Sequence, residues 1–228
     1  MTATRDTVIE KLWRGHDPLL DIPDNLFELD LQGWNSRHPY LAEAMAEVGE
    51  GVVGEGVVVE VGVWKGGSAI FMAETLKAAG RDAALIAIDT WLGSSEHWLT
   101  PDYFKQMSFL SGYPALYHKF ASNARRSGVG DYIVPLPLDS LNACHVLAGL
   151  QIRPAVIHLD GAHDFNSVSA DLRAWWPLLA PGGLLVGDDY FTTGVWASVR
   201  DAFDTFFGAM GFPALENRGG KCRVRKPA

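Results

Sequence analysis

The sequence predicts a doubly wound α/β domain: a mostly parallel seven-stranded sheet that ends in an antiparallel hairpin and is preceded by short N-terminal helices. Three observations predict it. Five short apolar runs read as strands buried on both faces. Helical periodicity recurs between them, as the crossovers of a parallel sheet require. The runs also end in acidic residues, and in such sheets ligands gather beyond the carboxyl ends of the strands.

Taken in order, the first fifty residues mix polar helix-like stretches with loop signals at Asp17-Pro18, Ile22-Pro23-Asp24-Asn25, Gly33-Trp34-Asn35-Ser36 and His38-Pro39. They predict short helices, read as a cap or lid over 1–50 ahead of one catalytic domain over 51–228. Val57 to Gly62 is a β-branched run ending in glycine, and Ser68 to Ala79 follows with helical periodicity. Ala83 to Ile88 ends at Asp89. Tyr132 to Leu138 ends at Asp139-Ser140, which starts a helix through Leu150. Ala155 to Leu159 ends at Asp160, a helix is expected from Ser167 to Leu179, and Leu184 to Val186 delivers Gly187-Asp188-Asp189-Tyr190. A last helix over Val195 to Met210 precedes Pro213 to Glu216 and Lys221 to Arg225, paired around Asn217-Arg218-Gly219-Gly220. Between Tyr103 and Gly130 the apolar spacing predicts one or two helices, serving either as core or as a cap on the substrate side.

The chain has 228 residues, 48% of them apolar, enough for one substantial core. A net charge of -8 opposes nucleic-acid binding, which needs a clustered positive field. No apolar run approaches the ~20 residues of a membrane span, so a cytoplasmic protein without a membrane partner is expected. Cys144 and Cys222 form no metal or redox motif.

The segment Glu60-Val-Gly62-Val-Trp-Lys-Gly66-Gly67-Ser68 turns sharply from strand to helix, and its glycines let backbone amides approach a ligand. Trp64 stands where a dinucleotide fingerprint needs its second glycine, which disfavours a pyrophosphate cradle. Asp89, about 20 residues further on, suits a carboxylate that accepts both hydroxyls of a ribose.

These residues resemble class I S-adenosylmethionine-dependent methyltransferases, with their Rossmann-like domain and E-x-G-x-x-x-G-G-S motif; the similarity runs from Val57 to Tyr190. The resemblance implies that Glu60, Gly62 and Ser68 surround the methionine part of S-adenosylmethionine, Asp89 its ribose, and Asp139 with Ser140 its adenine. For Asp139 a helix N-cap accounts for the residue equally well.

In the doubly wound order, Asp160 and Asp188-Asp189 become neighbours. Two carboxylates about 4 Å apart repel by roughly 4 kcal/mol at an effective dielectric near 20, so the group must share protons or hold a cation. Oxygen ligands point to Mg²⁺, with Mn²⁺ or Ca²⁺ as alternatives, and His158 and His163 leave room for a transition metal.

Asp160-Gly-Ala-His163 with Gly-Asp188-Asp189-Tyr190 resembles the metal-dependent O-methyltransferases of macrolide sugars and the related cephalosporin-hydroxylase-like enzymes. By that resemblance Asp160, Asp188 and Asp189 bind metal and His163 is the general base. The aminocoumarin branch places its base two residues after the first ligand, where this chain has Ala162. The expected reaction is O-methylation of a hydroxylated small molecule, a sugar or natural-product intermediate, with homo-oligomerisation left open. A metal-independent methyltransferase, a nicotinamide-dependent oxidoreductase and a non-catalytic binding protein are the competing readings.

Overall fold

The computed structural model describes residues 2–23, 26–49 and 56–228; the loop signal at Asp24-Asn25 and the division at 50/51 lie outside the described residues. The elements run α1 (Ala3–Trp13), α2 (Pro39–Glu47), β1 (Val57–Val61), α3 (Gly67–Ala78), β2 (Ala84–Ile88), α4 (Ser95–Leu99) and α5 (Pro101–Met107). They continue with β3 (Phe109–Leu110), β4 (Tyr113–Pro114), α6 (Leu116–Arg126), β5 (Ile133–Leu136), α7 (Ser140–Gly149), β6 (Val156–Leu159), α8 (Phe165–Leu178) and β7 (Leu184–Gly187). Helix α9 (Ala197–Ala209) and strands β8 (Glu216–Arg218) and β9 (Lys221–Arg225) complete the chain.

The main sheet has the order β5-β2-β1-β6-β7-β9-β8. Its first five strands are parallel and β9 pairs antiparallel with both β7 and β8. Strand order reverses between β1 and β6, where Val61 stands between Ile88 and Leu159. The carboxyl ends of β2, β1 and β6 therefore open onto one crevice.

Two-residue periodicity divides β1 between the two faces. Val57, Val59 and Val61 pack with Leu172, Trp175, Phe203 and Phe207 of α8 and α9, and with Val8 of α1. Val58 packs with Leu41, Met45, Ile70, Leu76 and Phe120 of α2, α3 and α6. Each such side chain, once fully buried, contributes about 1.5–3 kcal/mol of transfer free energy. Helix α1 is fixed to the far edge of the sheet by hydrogen bonds from Arg5 Nε to the Ile133 carbonyl (3.2 Å) and from Trp13 Nε1 to that of Pro135 (3.0 Å).

Two expectations shift. The helix expected from Ser167 begins at Phe165, because Asp164 accepts from the amides of Asn166 and Ser167 and caps it. The stretch expected to give one or two helices forms α5, a short β3–β4 hairpin and α6. Met107, Leu116 and Phe120 enter the core while Phe104, Phe109 and Leu110 stay exposed, so the apolar residues there serve both inside and outside. Trp91 is also core: it stacks on Phe120 (4.9 Å) and donates to the Trp64 carbonyl. Both cysteines are buried and free. Among the described residues, no helix is long and apolar enough to cross a membrane.

Candidate active site

A cavity of about 660 Å³ opens at the carboxyl ends of β1, β2, β6 and β7. Its floor is the turn from β1 into α3. Gly62 has φ +86°, and a Cβ there would lie 2.1 Å from the Asp160 carbonyl oxygen. Only glycine lets β1 and β6 approach so closely at this point. Trp64 takes the left-handed conformation without being glycine (φ +52°), a strain of roughly 1–2 kcal/mol.

Asp89 offsets that strain. Its Oδ2 accepts from the amides of Val63 and Trp64, both at 2.9 Å, and its Oδ1 accepts from the amide of Trp91 at 2.7 Å. A carboxylate has about four acceptor positions, so three are engaged in holding the turn and about one faces the cavity. The Trp64 indole donates to Gln32 Oε1 (3.1 Å) and stacks on His97 (4.3 Å). Residues Gln32 to Ser36 form the opposite wall. Trp34 meets Tyr103 edge-on, Asn35 Nδ2 donates to the Gly219 carbonyl (2.8 Å), and His38 Nε2 donates to that of Arg218 (2.9 Å).

Of the motif residues, Gly62 and Ser68 line the cavity, whereas Glu60 lies behind the wall with no exposed surface. Ser68 Oγ donates to Glu60 Oε1 (2.5 Å), and His158 Nδ1 approaches the same oxygen at 2.9 Å. Lys221 Nζ reaches His158 Nε2 (3.2 Å) and is paired with Asp188 Oδ2. An ammonium can only donate, so Nε2 accepts and Nδ1 carries the proton that goes to Glu60. Burial pushes the Glu60 carboxyl up to about 8; burial and then the Lys221 charge push His158 down to about 3. Glu60 Oε2 has no hydrogen-bond partner among the described residues. A continuous buried chain thus links β9, β6, β1 and α3.

At the other end of the cavity, ligand atoms of Asp160, His163 and Asp189 all lie within 4.8 Å of one another. His163 Nε2 is 3.1 Å from Asp189 Oδ2, its Nδ1 is 4.0 Å from Glu96 Oε2, and its ring packs against Trp196 at 5.2 Å. The hydrogen bond to Asp189 holds the imidazole above its ordinary pKa. Desolvation, and next the neighbouring Asp188, hold the Asp160 carboxyl well above the usual range. Asp188 lines the same cavity but turns Oδ2 toward Lys221, while its Oδ1 accepts from the Asp189 amide (2.9 Å). Asp160, His163 and Asp189 are therefore brought together, with Asp188 beside them and already paired.

Asp139 and Ser140 reach the cavity from the start of α7. Asp139 caps that helix by accepting from the Asn142 amide (3.0 Å); Ser140 Oγ donates to Asp171 (2.5 Å) and accepts from the Trp175 indole (2.8 Å). Sequence reasoning missed Lys221, Glu96 and Gln32; it read His158 as leaving room for a transition metal, whereas both ring nitrogens of this buried residue are engaged by Glu60 and Lys221. Lys221 opens a strand in which three of five residues are basic, so nothing local marks it as the buried one; only its burial shows that it requires a partner.

A family model for a methyltransferase domain matches residues 59–190. The 8-demethyl-8-(2,3-dimethoxy-α-L-rhamnosyl)-tetracenomycin-C 4'-O-methyltransferase of Streptomyces olivaceus is 31% identical over 173 residues, covering 71% of this chain. The chain spans 61% of that relative's length. Among solved structures, the O-methyltransferase NovP aligns with a TM-score of 0.61 at 22% identity, over 83% of this chain and 78% of NovP. CalS11, a TDP-rhamnose 3'-O-methyltransferase of calicheamicin biosynthesis, aligns with a TM-score of 0.55 at 21% identity, over 81% and 76%. TomG from Streptomyces achromogenes, an O-methyltransferase of tomaymycin synthesis solved with SAM, aligns at 0.56 and 15% identity over 98% and 96%. At these identities the solved structures speak to the fold.

Proposed function

Because the chain belongs to the methyltransferase-domain family, we propose that it transfers the methyl group of S-adenosylmethionine to a hydroxyl of a sugar or sugar-bearing natural product. One observation carries the reading: the glycine turn and the Asp160–His163–Asp189 group line the same cavity. At about 660 Å³ it falls within the range of small-molecule sites.

In this reading Gly62 and Ser68 face the methionine part of the cofactor, and Glu60 holds the Ser68 hydroxyl from behind. The remaining acceptor position of Asp89 takes a ribose hydroxyl, and Asp139 with Ser140 borders the adenine. His163 takes the proton of the acceptor hydroxyl, and Asp189, hydrogen-bonded to its Nε2, stabilises the imidazolium that results. When bound, the sulfonium supplies an electrophilic methyl: the acceptor oxygen bonds to carbon, the carbon–sulfur bond breaks, and its electron pair remains on sulfur. The roof at Gln32 to Ser36, tied down at Arg218 and Gly219, limits the water that competes for the methyl. This assigns the lid role of the N-terminal region to that segment.

The donor set also fits a divalent cation. Asp160, Asp188 and Asp189 would hold it, and it would lower the pKa of an acceptor hydroxyl. The Asp160 carboxylate supports the assignment, since it has no hydrogen-bond donor among the described residues. The His163–Asp189 contact at 3.1 Å favours a second reading, a base–carboxylate pair that needs no metal. Isothermal titration with S-adenosylmethionine, with and without Mg²⁺ and chelator, tests both. Absence of cofactor binding in every condition rejects the enzyme class, and turnover indifferent to chelator selects the metal-free version.

A further inference from the structure

We infer that Asp171, on α8, reads the amino group of the cofactor's adenine, in place of the strand-end pair Asp139 and Ser140. The inference rests on the methyltransferase reading and deepens it on the adenine side of the cavity.

The side chains of the strand-end pair are committed elsewhere. Asp139 is exposed, and one residue engages both its oxygens: Oδ1 accepts from the Asn142 amide (3.0 Å) and Oδ2 from the Asn142 side chain (2.6 Å). Ser140 gives its only hydroxyl proton to Asp171 Oδ1 (2.5 Å) and accepts from the Trp175 indole (2.8 Å). Asp171 is in the opposite position. It lines the cavity, is only 7% exposed, and its Oδ2 has no hydrogen-bond partner among the described residues. The nearest charges, Asp139 and Asp164, are both acidic, and burial pushes the carboxyl up to about 6 from an ordinary 3.8.

Magnitudes decide between the two carboxylates. A hydrogen bond from a ligand to exposed Asp139 exchanges one partner for water and nets about 0.5–1.5 kcal/mol. A bond to a buried carboxylate oxygen short of donors also relieves its desolvation, and bonds to such charged groups are worth about 1.5–3 kcal/mol. The amine of a purine donates and does not accept, which is what Asp171 lacks. Leu138, Leu141 and Ala170 line the cavity beside these residues and offer a flat heterocycle a carbon surface. An apolar wall with one placed acceptor is the usual composition of a site that fixes orientation. A purine with a carbonyl at C6 would instead set a second acceptor against the carboxylate, and unpaired acceptors reject a ligand more strongly than missing contacts do.

The test titrates the 228-residue chain calorimetrically with S-adenosylhomocysteine and with its 6-oxo analogue, S-inosylhomocysteine. Binding of neither retires the methyltransferase reading itself. Binding of both with similar affinity leaves that reading standing and overturns this inference. The expected result is that the 6-oxo analogue binds about 100-fold or more weakly. In Asp171→Asn the amide can turn its NH₂ group toward the carbonyl, so the ratio is expected to shrink by about tenfold or more. A loss of packing would weaken both ligands alike and leave the ratio where it was. Asp139→Ala is titrated in parallel: a ratio that collapses there while Asp171→Asn leaves it intact returns the adenine to the strand-end pair and overturns the inference.

Discussion

The ammonium of Lys221, entering from antiparallel strand β9, is ion-paired with Asp188 at the end of parallel strand β7, and both are buried. Through His158 and Glu60 the same lysine is linked to Ser68 in the cavity wall. Removing one member of a buried pair strands the other charge, typically at about 3–5 kcal/mol. Lys221→Met is expected to lose that much in urea unfolding, and Lys221→Met/Asp188→Asn to recover most of it. If Asp188 helps to hold a cation, Mg²⁺ will raise the Tm of Lys221→Met more than that of the unaltered protein.

Asp89 sets the shape of the glycine turn through three backbone amides. Asn at this position keeps an acceptor for Val63 and Trp64 but presents an NH₂ group to the amide of Trp91. Asp89→Asn is expected to cost about 1–3 kcal/mol of stability, the range for an unsatisfied polar group. It is also expected to weaken S-adenosylhomocysteine binding by about tenfold or more, as one lost charged hydrogen bond implies. Calorimetry that finds the cofactor affinity unchanged would detach Asp89 from the ribose.

Gly62 and Gly182 both have positive φ, but only Gly62 faces backbone where a Cβ would go. Gly182→Ala should cost about 1–2 kcal/mol, the left-handed penalty alone. Gly62→Ala adds a collision with Asp160 and should exceed about 4 kcal/mol or prevent folding. Equal losses in the two variants would show that β1 and β6 separate easily.

Asp171 provides a pH signature. Burial pushes its carboxyl up to about 6 from an ordinary 3.8, against the smaller opposing effect of the Ser140 hydrogen bond. The folded state thus binds this proton more tightly than the unfolded state. Stability from the group is fully present below pH 3.8 and is lost as pH rises toward 6 and past it. Asp171→Asn removes the dependence, so the difference in unfolding free energy, variant minus unaltered protein, read by urea denaturation, should widen by about 2 kcal/mol from pH 4.5 to about 7 and then level off. A difference independent of pH would refute the shift.

The sheet was legible because its parallel strands are buried on both faces, which leaves runs such as Val57 to Val61 and Ala84 to Ile88 almost free of polar residues. The acids at the strand ends were legible for the same topological reason. Contacts across long separations were not. Asp89 reads as a ligand group at a strand end, and only coordinates show it accepting from the turn 25 residues earlier. His158 and Lys221 are separated by 63 residues, and neither local pattern points to the other. The 103–130 segment resisted reading because its apolar side chains are divided between interior and surface, which blurs any single periodicity.

Chain order gives β9 one more consequence. During synthesis from the N-terminus, β1, β6 and β7 emerge well before residue 221. Until that residue docks, Asp188 stands in the nascent sheet without its counter-ion and His158 without its donor. The ribosome thus delivers the neutralising charge late, and a partly made chain carries an unfinished pocket that should bind cofactor poorly.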